Sequence, residues 1–158
     1  MILLVDANVL IDLTYVEGLN VLCRLGKLEV LDVVLAECNL QKEFAEKIKN
    51  INIVEIKASF EWLKTIRSHK EISEEDSLNL YYAKTYSRIL LTNDLPLRKL
   101  CESENVTCHG TLWILEELYQ RSLCPSDKLI NWLDILSKLD RRMPKTDVLN
   151  LRFKLEQK

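Results

Sequence analysis

Two short apolar runs, each ending at an acidic residue, constrain the fold of this chain more than any other feature. Residues 2–5 (I-L-L-V) lead into Asp6, and residues 89–92 (I-L-L-T) lead into Asn93 and Asp94. Short continuous apolar runs are typical of strands that are buried on both faces of a parallel sheet. Ligands bind at the carboxyl edge of such a sheet, so Asp6 and Asp94 are expected to be neighbours in space.

The rest of the chain alternates between apolar runs and helical patterns. Further strands are predicted at residues 28–34, 51–56 and 106–109, and helices at about 8–25, 35–48 and 58–68, from Ser73, after Asp94, and in two or three pieces beyond Leu112. One of these last pieces has an apolar face made by Leu129, Leu133, Leu136 and Leu139. The alternation predicts a three-layer α/β/α fold around a parallel sheet of about five strands.

The 158 residues are predicted to form a single domain, with a core of about residues 1–120 and a helical C-terminal extension of about residues 121–158. No apolar run is long enough to predict a membrane-spanning helix, and the first residues do not resemble a signal peptide. Five cysteines without a C-x-x-C pair indicate reduced thiols, so a cytoplasmic location is expected.

The formal charge of −2 argues against a protein that coats nucleic acid through bulk electrostatics. Residues 141–158, however, hold six basic and two acidic side chains, a local charge of +4. This tail is either a solvated basic helix or a surface for a polyanion, with Arg141, Arg142, Arg152 and Lys154 as candidate RNA contacts. Arg98, four residues after Asp94, is a further candidate for phosphate, or for an i,i+4 salt bridge.

Glu37 and Asp76 join Asp6 and Asp94 as candidate site residues. Three of the four have a structural alternative: Asp6 and Asp94 suit helix N-caps, and Ser73 with Asp76 satisfies the S-x-x-[DE] capping box. Glu37 lies in an apolar helix between Ala36 and Cys38, which is unusual for a solvated position. Several carboxylates packed together need a counter-cation, and oxygen ligands favour Mg²⁺ or Mn²⁺. Such an ion polarises a phosphodiester and activates water.

Four segments and an intervening glutamate give the chain a recognisable order. V-D-A-N-V-L-I-D-L at 5–13 comes first, followed by Glu37, E-E-D-S-L-N-L-Y-Y-A-K at 74–84, L-L-T-N-D at 90–94 and V-T-C-H-G-T-L-W-I-L at 106–115. In this order the segments resemble a PIN domain over about residues 1–120. The resemblance implies strand order 3-2-1-4-5 and a Mg²⁺- or Mn²⁺-dependent endoribonuclease that uses an activated water. Many members, related to the VapC group, are toxins of toxin–antitoxin pairs.

The resemblance also implies roles for individual residues. Asp6, Glu37, Asp76 and Asp94 match the family's acidic quartet, which serves as catalytic residues and metal ligands. Supporting positions are matched by Asn8 and Thr92, whereas Asn93 stands where relatives carry a second aspartate. The implied partners are an RNA substrate, a cognate antitoxin protein and a second copy of the chain in a homodimer.

Other classes of protein fit the sequence less well or differ in activity. D-A-N after the first strand resembles the D-x-D of haloacid-dehalogenase-type phosphatases, but Asn8 lacks the acid/base group that the second Asp supplies. A receiver domain would need paired acids at Asp6 and an aspartate after the third strand, and both are missing. A catalytically weak or silent PIN-like module that binds RNA or protein stays open, because a fold does not fix a function.

Overall fold

The computed structural model describes residues 1–38, 51–54, 63–64, 67–139 and 143–157. Its strands and helices follow one another as β1 (Ile2–Val5), α1 (Ala7–Tyr15), α2 (Leu19–Leu22), β2 (Lys27–Leu31), α3 (Asp32–Glu37), β3 (Ile51–Val54), α4 (Glu74–Tyr86), β4 (Ile89–Leu91), α5 (Leu95–Ser103), β5 (Cys108–His109), α6 (Thr111–Gln120), α7 (Ser126–Leu139) and α8 (Lys145–Glu156). None of the helices described here combines the length and apolar character needed to cross a membrane.

The five strands form one sheet in the order β3-β2-β1-β4-β5, and every neighbouring pair is parallel. Helices flank this sheet, which confirms the predicted α/β/α fold and strand order. Strand β1 lies at the centre because its residues are apolar on both sides: Leu3, Leu4 and Val5 have no solvent exposure. A charge placed directly after this strand must therefore be stabilised by the protein itself.

The carboxyl edge of the sheet is held by backbone hydrogen bonds that continue past the strands. The Asp6 amide donates to the Leu91 carbonyl at 2.9 Å, and the Thr92 amide donates to the His109 carbonyl at 2.9 Å. These bonds fix the backbone of the residues that follow β1 and β4. The segments that carry Asp6 and Asp94 are therefore brought together by the sheet, as the sequence predicted.

Several predicted boundaries are wrong, each for a local reason. The second strand ends at Leu31, because Asp32 starts α3 and its carboxylate accepts a hydrogen bond from the Val33 amide at 2.8 Å. The helix predicted over 8–25 is two helices, separated by a turn in which Glu17 has a φ of 58°. The predicted fifth strand, 106–109, is reduced to its last two residues.

Other expectations lie partly outside the described residues, namely the helices over 35–48 and 58–68 and the end of the strand over 51–56. The predicted start of α4 is confirmed, because the Ser73 hydroxyl accepts from the Asp76 amide at 3.1 Å. Five cysteines are free thiols, as expected, and Cys38, Cys101 and Cys124 are buried.

Three helices follow the sheet, where two or three pieces were predicted beyond Leu112, and the first of them begins at Thr111. Leu129, Leu133 and Leu136 of α7 are fully buried, whereas Leu139 at its end is half exposed. Ion pairs attach α8 to its neighbours: Lys154 pairs with Glu116 of α6 at 2.6 Å, and Arg152 pairs with Asp134 of α7. The C-terminal helix is thus anchored to α6 and α7 by charge as well as by its buried Leu151 and Leu155.

Candidate active site at the carboxyl edge of the sheet

Asp6 is a nearly fully buried carboxylate that both caps a helix and faces other elements. It is 2% exposed and is the N-cap of α1, where its Oδ1 accepts from the Ala7 amide at 2.8 Å. Oδ1 also accepts from the Asn79 side chain at 3.1 Å. Oδ2 accepts from Thr92 Oγ1 at 2.6 Å and from Asn8 Nδ2 at 3.1 Å. These hydrogen bonds offset the free-energy cost of removing the carboxylate from water.

Thr92 links Asp6 to the second strand-end acid. Its side chain is fully buried, donates to Asp6 and accepts from the Asp94 backbone amide at 3.1 Å. Asp94 is the N-cap of α5, and its Oδ2 accepts from the Leu97 amide at 3.0 Å. The salt bridge considered between Asp94 and Arg98 is not formed. Asp94 is therefore held in place by its helix.

Asp76 interacts with all three other acids of the predicted quartet. Burial, followed by the charges of Asp6 and Asp94 and the smaller effect of Glu37, raises the pKa of Asp76 to about 7, and the hydrogen bond with Ser73 only partly opposes this. Like charges interact in this way only when they lie near one another. The sheet and α4 therefore bring Asp6, Asp76 and Asp94 within electrostatic reach of one another, and the effect of Glu37 is smaller.

Glu37 is the most exposed of the four acids. It is the last residue of α3, where a carboxylate interacts unfavourably with the helix dipole. Partial burial raises its pKa, and so do the charges of Glu75 and Asp6. Its position is therefore not explained by helix capping, in contrast to Asp6 and Asp94.

Comparison with known proteins identifies the family. A family model, DUF3368, described as a PIN domain, matches residues 2–155. The chain is a PIN domain protein. The match extends beyond residues 1–120 of the sequence resemblance and adds α7 and most of α8. PIN domains are commonly nucleases and typically use divalent metals.

The chain is also similar to a protein of known structure, PAE2754 from Pyrobaculum aerophilum. The two sequences are 20% identical, the TM-score is 0.49, and the alignment covers 61% of this chain and 85% of PAE2754. No curated protein matches the chain. The family therefore rests on the family model, and the fold on the parallel sheet described above.

Asn79 is a site residue of this PIN domain that the sequence analysis missed. It lies on α4 three residues after Asp76, is fully buried and donates to Asp6. Its Oδ1 and the Ser77 hydroxyl are buried and have no hydrogen-bond partner among the described residues. The signal was present in the sequence, since an asparagine three residues from an acid lies on the same helix face.

The acidic side chains of this PIN domain offer the kind of ligand atom that a hard divalent cation prefers. Asp6, Glu37, Asp76 and Asp94 offer only oxygen, the donor that Mg²⁺ and Mn²⁺ prefer, and the orphaned Asn79 Oδ1 lies in the same network. Among the described residues, however, no three His, Cys, Asp or Glu side chains are close enough to bind an ion together as they stand. Binding of a cation therefore requires these side chains to move closer together.

Asn93, which follows β4, both accepts and donates hydrogen bonds. Its Oδ1 accepts from the Thr111 amide at 2.9 Å, and its Nδ2 donates to Thr111 Oγ1 at 2.8 Å and to Asp12 at 3.4 Å. Its backbone amide donates to Asn8 Oδ1 at 3.1 Å. A Cβ on Gly110 would lie 2.7 Å from Asn93 Oδ1, so only glycine permits this contact. Asn93 therefore joins β4 to the start of α6.

The predicted RNA-contacting residues differ in their surroundings. Arg98 is exposed at the surface of α5, and Lys154 is paired with Glu116. Arg152 is paired with Asp134 and, at 3.0 Å, with Glu156. Arg141 and Arg142 lie outside the described residues. Much of the positive charge of α8 is thus balanced within the protein.

Proposed function

We propose that this PIN domain protein is a Mg²⁺- or Mn²⁺-dependent endoribonuclease that hydrolyses RNA phosphodiesters. One observation carries the proposal: acids from four separate elements, at Asp6, Glu37, Asp76 and Asp94, interact at the carboxyl edge of a parallel sheet. This edge is where ligands of open α/β sheets bind. A structural role explains the N-caps at Asp6 and Asp94, but it does not explain why Asp76 and Glu37 lie within electrostatic reach of them.

The residues that would hold the cation are Asp76, Asp94 and Glu37, together with Asp6. Asp6 would join them by exchanging one of its four hydrogen bonds for the ion. A bound divalent cation supplies charge stabilisation of the phosphodiester and activates water. The contribution of Asn8, Asn79 and Thr92 is to hold Asp6, because their hydrogen bonds fix the direction of both its oxygens.

The histidines do not offer the usual alternative chemistry of metal-free ribonucleases. The His109 ring is stacked on Trp113 with centroids 4.1 Å apart, and burial and the charge of Arg98 lower its pKa. His69 lies 3.8 Å from Glu71 instead of near the quartet acids. Water is therefore the nucleophile we propose, and the RNA 2′-hydroxyl is not required.

A cleavage assay tests the proposal. RNA incubated with manganese or magnesium is expected to yield fragments with 5′-phosphate and 3′-hydroxyl ends, and a chelator is expected to stop the reaction. A single deoxynucleotide 5′ to the scissile phosphate is expected to be tolerated. Fragments with 2′,3′-cyclic phosphate that form in the presence of chelator would overturn the mechanism, as mass spectrometry can show.

The alternative function is a PIN domain that binds RNA or protein and is catalytically weak or silent. The observation in its favour is that no three of the described acids are close enough to bind an ion together. In addition, Asn93 stands where the family resemblance implies an aspartate. Under this alternative, manganese leaves the melting temperature unchanged and RNA is bound without being cut. Melting with and without manganese therefore separates the two functions.

The proposal extends to partners. Exposed apolar side chains one turn apart, Ile11 and Tyr15 on α1 and Leu149 and Phe153 on α8, offer surface to a second copy or to a cognate antitoxin. Light scattering of the purified chain tests the homodimer, and Tyr15→Glu and Phe153→Glu test which helix takes part. A toxin role predicts growth arrest on expression that is lost in Asp94→Asn.

A further inference from the structure

Two of the five cysteines meet at the turn between α5 and β5. Cys101 lies in the last turn of α5, and Cys108 is the first residue of β5. The chain reverses tightly between them: the Val106 amide donates to the Cys101 carbonyl at 2.8 Å, and Asn105 has a left-handed φ of 57°. Across this turn the Cys101 thiol donates a hydrogen bond to the Cys108 sulfur. The backbone therefore holds two thiols in contact.

The two thiols differ in their access to solvent. Cys101 is fully buried, whereas Cys108 is partly exposed and lines a depression of about 550 Å³ beside α5. The charged side chains that line this depression are Arg98, Lys99 and Glu102, two positive and one negative. A small polar reagent can therefore reach the Cys108 sulfur, while the Cys101 sulfur is accessible only to its neighbour.

The surroundings of Cys108 favour its ionised form. The hydrogen bond from Cys101 is the largest effect that lowers the pKa of Cys108, and burial opposes it. The charge of the Arg98 guanidinium and its hydrogen bond to the Cys108 sulfur lower this pKa further, against the charge of Asp6. The hydrogen bond to Cys108, followed by burial, raises the pKa of Cys101. Because the thiolate is the nucleophilic form of cysteine, Cys108 is the reactive member of the pair.

The other cysteines lack this environment. Cys23 is also partly exposed, but burial raises its pKa. Cys38 and Cys124 are buried, and burial is the largest effect that raises the pKa of each thiol. All five cysteines lie in the described part of the chain, and Cys108 alone combines an accessible sulfur with a lowered pKa. Cys23 is therefore a matched reference thiol within the same protein.

We propose that Cys108, held by Arg98, is a modification site for hydrogen peroxide and forms a reversible disulfide with Cys101. Both sulfurs are already in hydrogen-bond contact, and one of them is open to a small oxidant. A pair packed only as small apolar side chains would need neither the guanidinium nor the access to solvent. The inference is independent of the proposed function, because none of the four acids takes part in it.

The reaction has two balanced steps. The Cys108 thiolate attacks one peroxide oxygen, the O–O bond breaks, and hydroxide leaves and takes up a proton. The sulfur is thereby oxidised to a sulfenic acid, and the peroxide is reduced. The Cys101 sulfur then attacks the Cys108 sulfur, the S–O bond breaks, and the leaving hydroxide takes the Cys101 proton. Two thiols and one peroxide thus give one disulfide and two waters, and a thiol reductant reverses the change by exchange.

Peptide mapping of the full chain tests the proposal. The reduced protein is exposed to hydrogen peroxide, denatured, alkylated with iodoacetamide and digested after glutamate, which separates the two cysteines at Glu102 and Glu104. We expect two peptides joined by a disulfide that dithiothreitol separates, and Cys108 is expected to lose its free thiol at least about tenfold faster than Cys23. Equal rates at Cys108 and Cys23, or oxidation of Cys108 without a bond to Cys101, would overturn the proposal.

Two serine variants separate the steps. Cys101→Ser keeps a hydrogen-bond donor beside Cys108 but cannot form the disulfide, so the sulfenic acid at Cys108 is expected to persist and to be captured by dimedone. Cys23→Ser is the matched control, in which the disulfide is expected to form as in the wild type. Absence of dimedone at Cys108 in a folded Cys101→Ser variant would overturn the proposal. The wild-type peptide map decides it independently if that variant does not fold.

A second pair of variants tests the part played by Arg98. Arg98→Met removes the guanidinium that bonds the Cys108 sulfur, and we expect oxidation of Cys108 to slow at least about threefold. Lys99→Met removes a positive charge from the same depression and is expected to keep the wild-type rate. A wild-type rate in Arg98→Met, or equal slowing in both variants, would overturn the assignment of Arg98 as the residue that holds the reactive thiol.

Discussion

Two buried carboxylates on neighbouring strands of the same sheet are stabilised in opposite ways. Glu29 on β2 is 6% exposed and is paired with Arg88 at 2.7 Å, and it also accepts from the Tyr82 hydroxyl at 3.1 Å. Asp6, directly after β1, accepts hydrogen bonds from four neutral groups among the described residues. Its charge acts on Asp76 and Glu37, whose pKa values it raises.

The two environments distinguish an acid that stabilises the fold from acids that indicate a functional site. The negative charge of Glu29 is balanced by an arginine that precedes β4, and burial and that negative charge raise the pKa of Tyr82. At the carboxyl edge, several acids are instead held near one another, which is unfavourable for folding unless a cation is bound. Buried pairs serve the fold, whereas repelling acids at a ligand-binding edge indicate a site.

The largest expected effect is the loss of cleavage in Asp94→Asn. Asparagine is as good an N-cap as aspartate, so α5 keeps its start, but one of the acids is removed. We expect cleavage to fall at least about a hundredfold, since even residues behind metal ligands contribute up to that much. Asp127→Asn, at the first turn of α7, is the matched control. Unchanged cleavage, with the manganese shift in melting intact, would remove Asp94 from the site.

Arg88→Met is expected to lower stability and leave cleavage unchanged, which is the opposite of the result expected for Asp94→Asn. It leaves the buried Glu29 carboxylate without its guanidinium, which costs about 3 kcal/mol of unfolding free energy. Cleavage per folded molecule should not change, because Glu29 lies away from the acidic edge. Urea denaturation measures the loss, and the double variant Glu29→Leu with Arg88→Met should recover most of it. A loss of cleavage without a loss of stability would contradict the comparison.

Asn93→Asp tests whether an acid at this position is compatible with the observed contacts. The carboxylate cannot donate to Thr111 Oγ1 and would repel Asp12, so we expect a loss of about 2 kcal/mol in stability. Ser103→Asp on the exposed end of α5 is a control for the added charge. The expectation is contradicted if the variant is as stable as the wild type and more active with manganese. The Asn93 side-chain amide would then not be needed to connect the end of β4 to the start of α6.

The smallest expected effect is a pH-dependent gain in stability in Asp76→Asn, measured in chelator. Burial and the neighbouring acids raise the pKa of Asp76 from 3.8 to about 7, so the folded chain retains a proton that the unfolded chain releases. Stability therefore falls as the pH rises from about 4 to 7, and the loss persists above that. The full pKa shift corresponds to roughly 4 kcal/mol. Because Asp76 is partly exposed and solvent screens its charge, we expect the variant to be more stable by only about 1 kcal/mol at pH 8, and nearly unchanged at pH 4.

Glu74→Gln, two residues earlier and exposed, is the control for this pH profile. Parallel pH profiles for Asp76→Asn and the wild type would mean that the acids do not share a common space.

The strands and the strand-end acids were determined by the sequence, because each depends on a few adjacent residues. Apolar runs predict β1 and β4. The parallel sheet then places Asp6 and Asp94 at one edge, independently of how the helices pack. The start of α4 followed in the same way from the hydroxyl of Ser73. The end of β2 did not, since the apolar run continues through Val33 and Val34 into a helix that Asp32 begins.

Only the tertiary structure decided which groups hold these acids and which charges stay available. The bond from Asn79 to Asp6 joins residues 73 apart, and that from Thr92 to Asp6 joins residues 86 apart. Arg152 and Lys154 are equivalent cations in the sequence, but in the fold each meets a particular acid on another helix. Hydrogen bonds and ion pairs act over a few ångströms, so they depend on how the helices pack, whereas burial along a strand is already set by its own side chains.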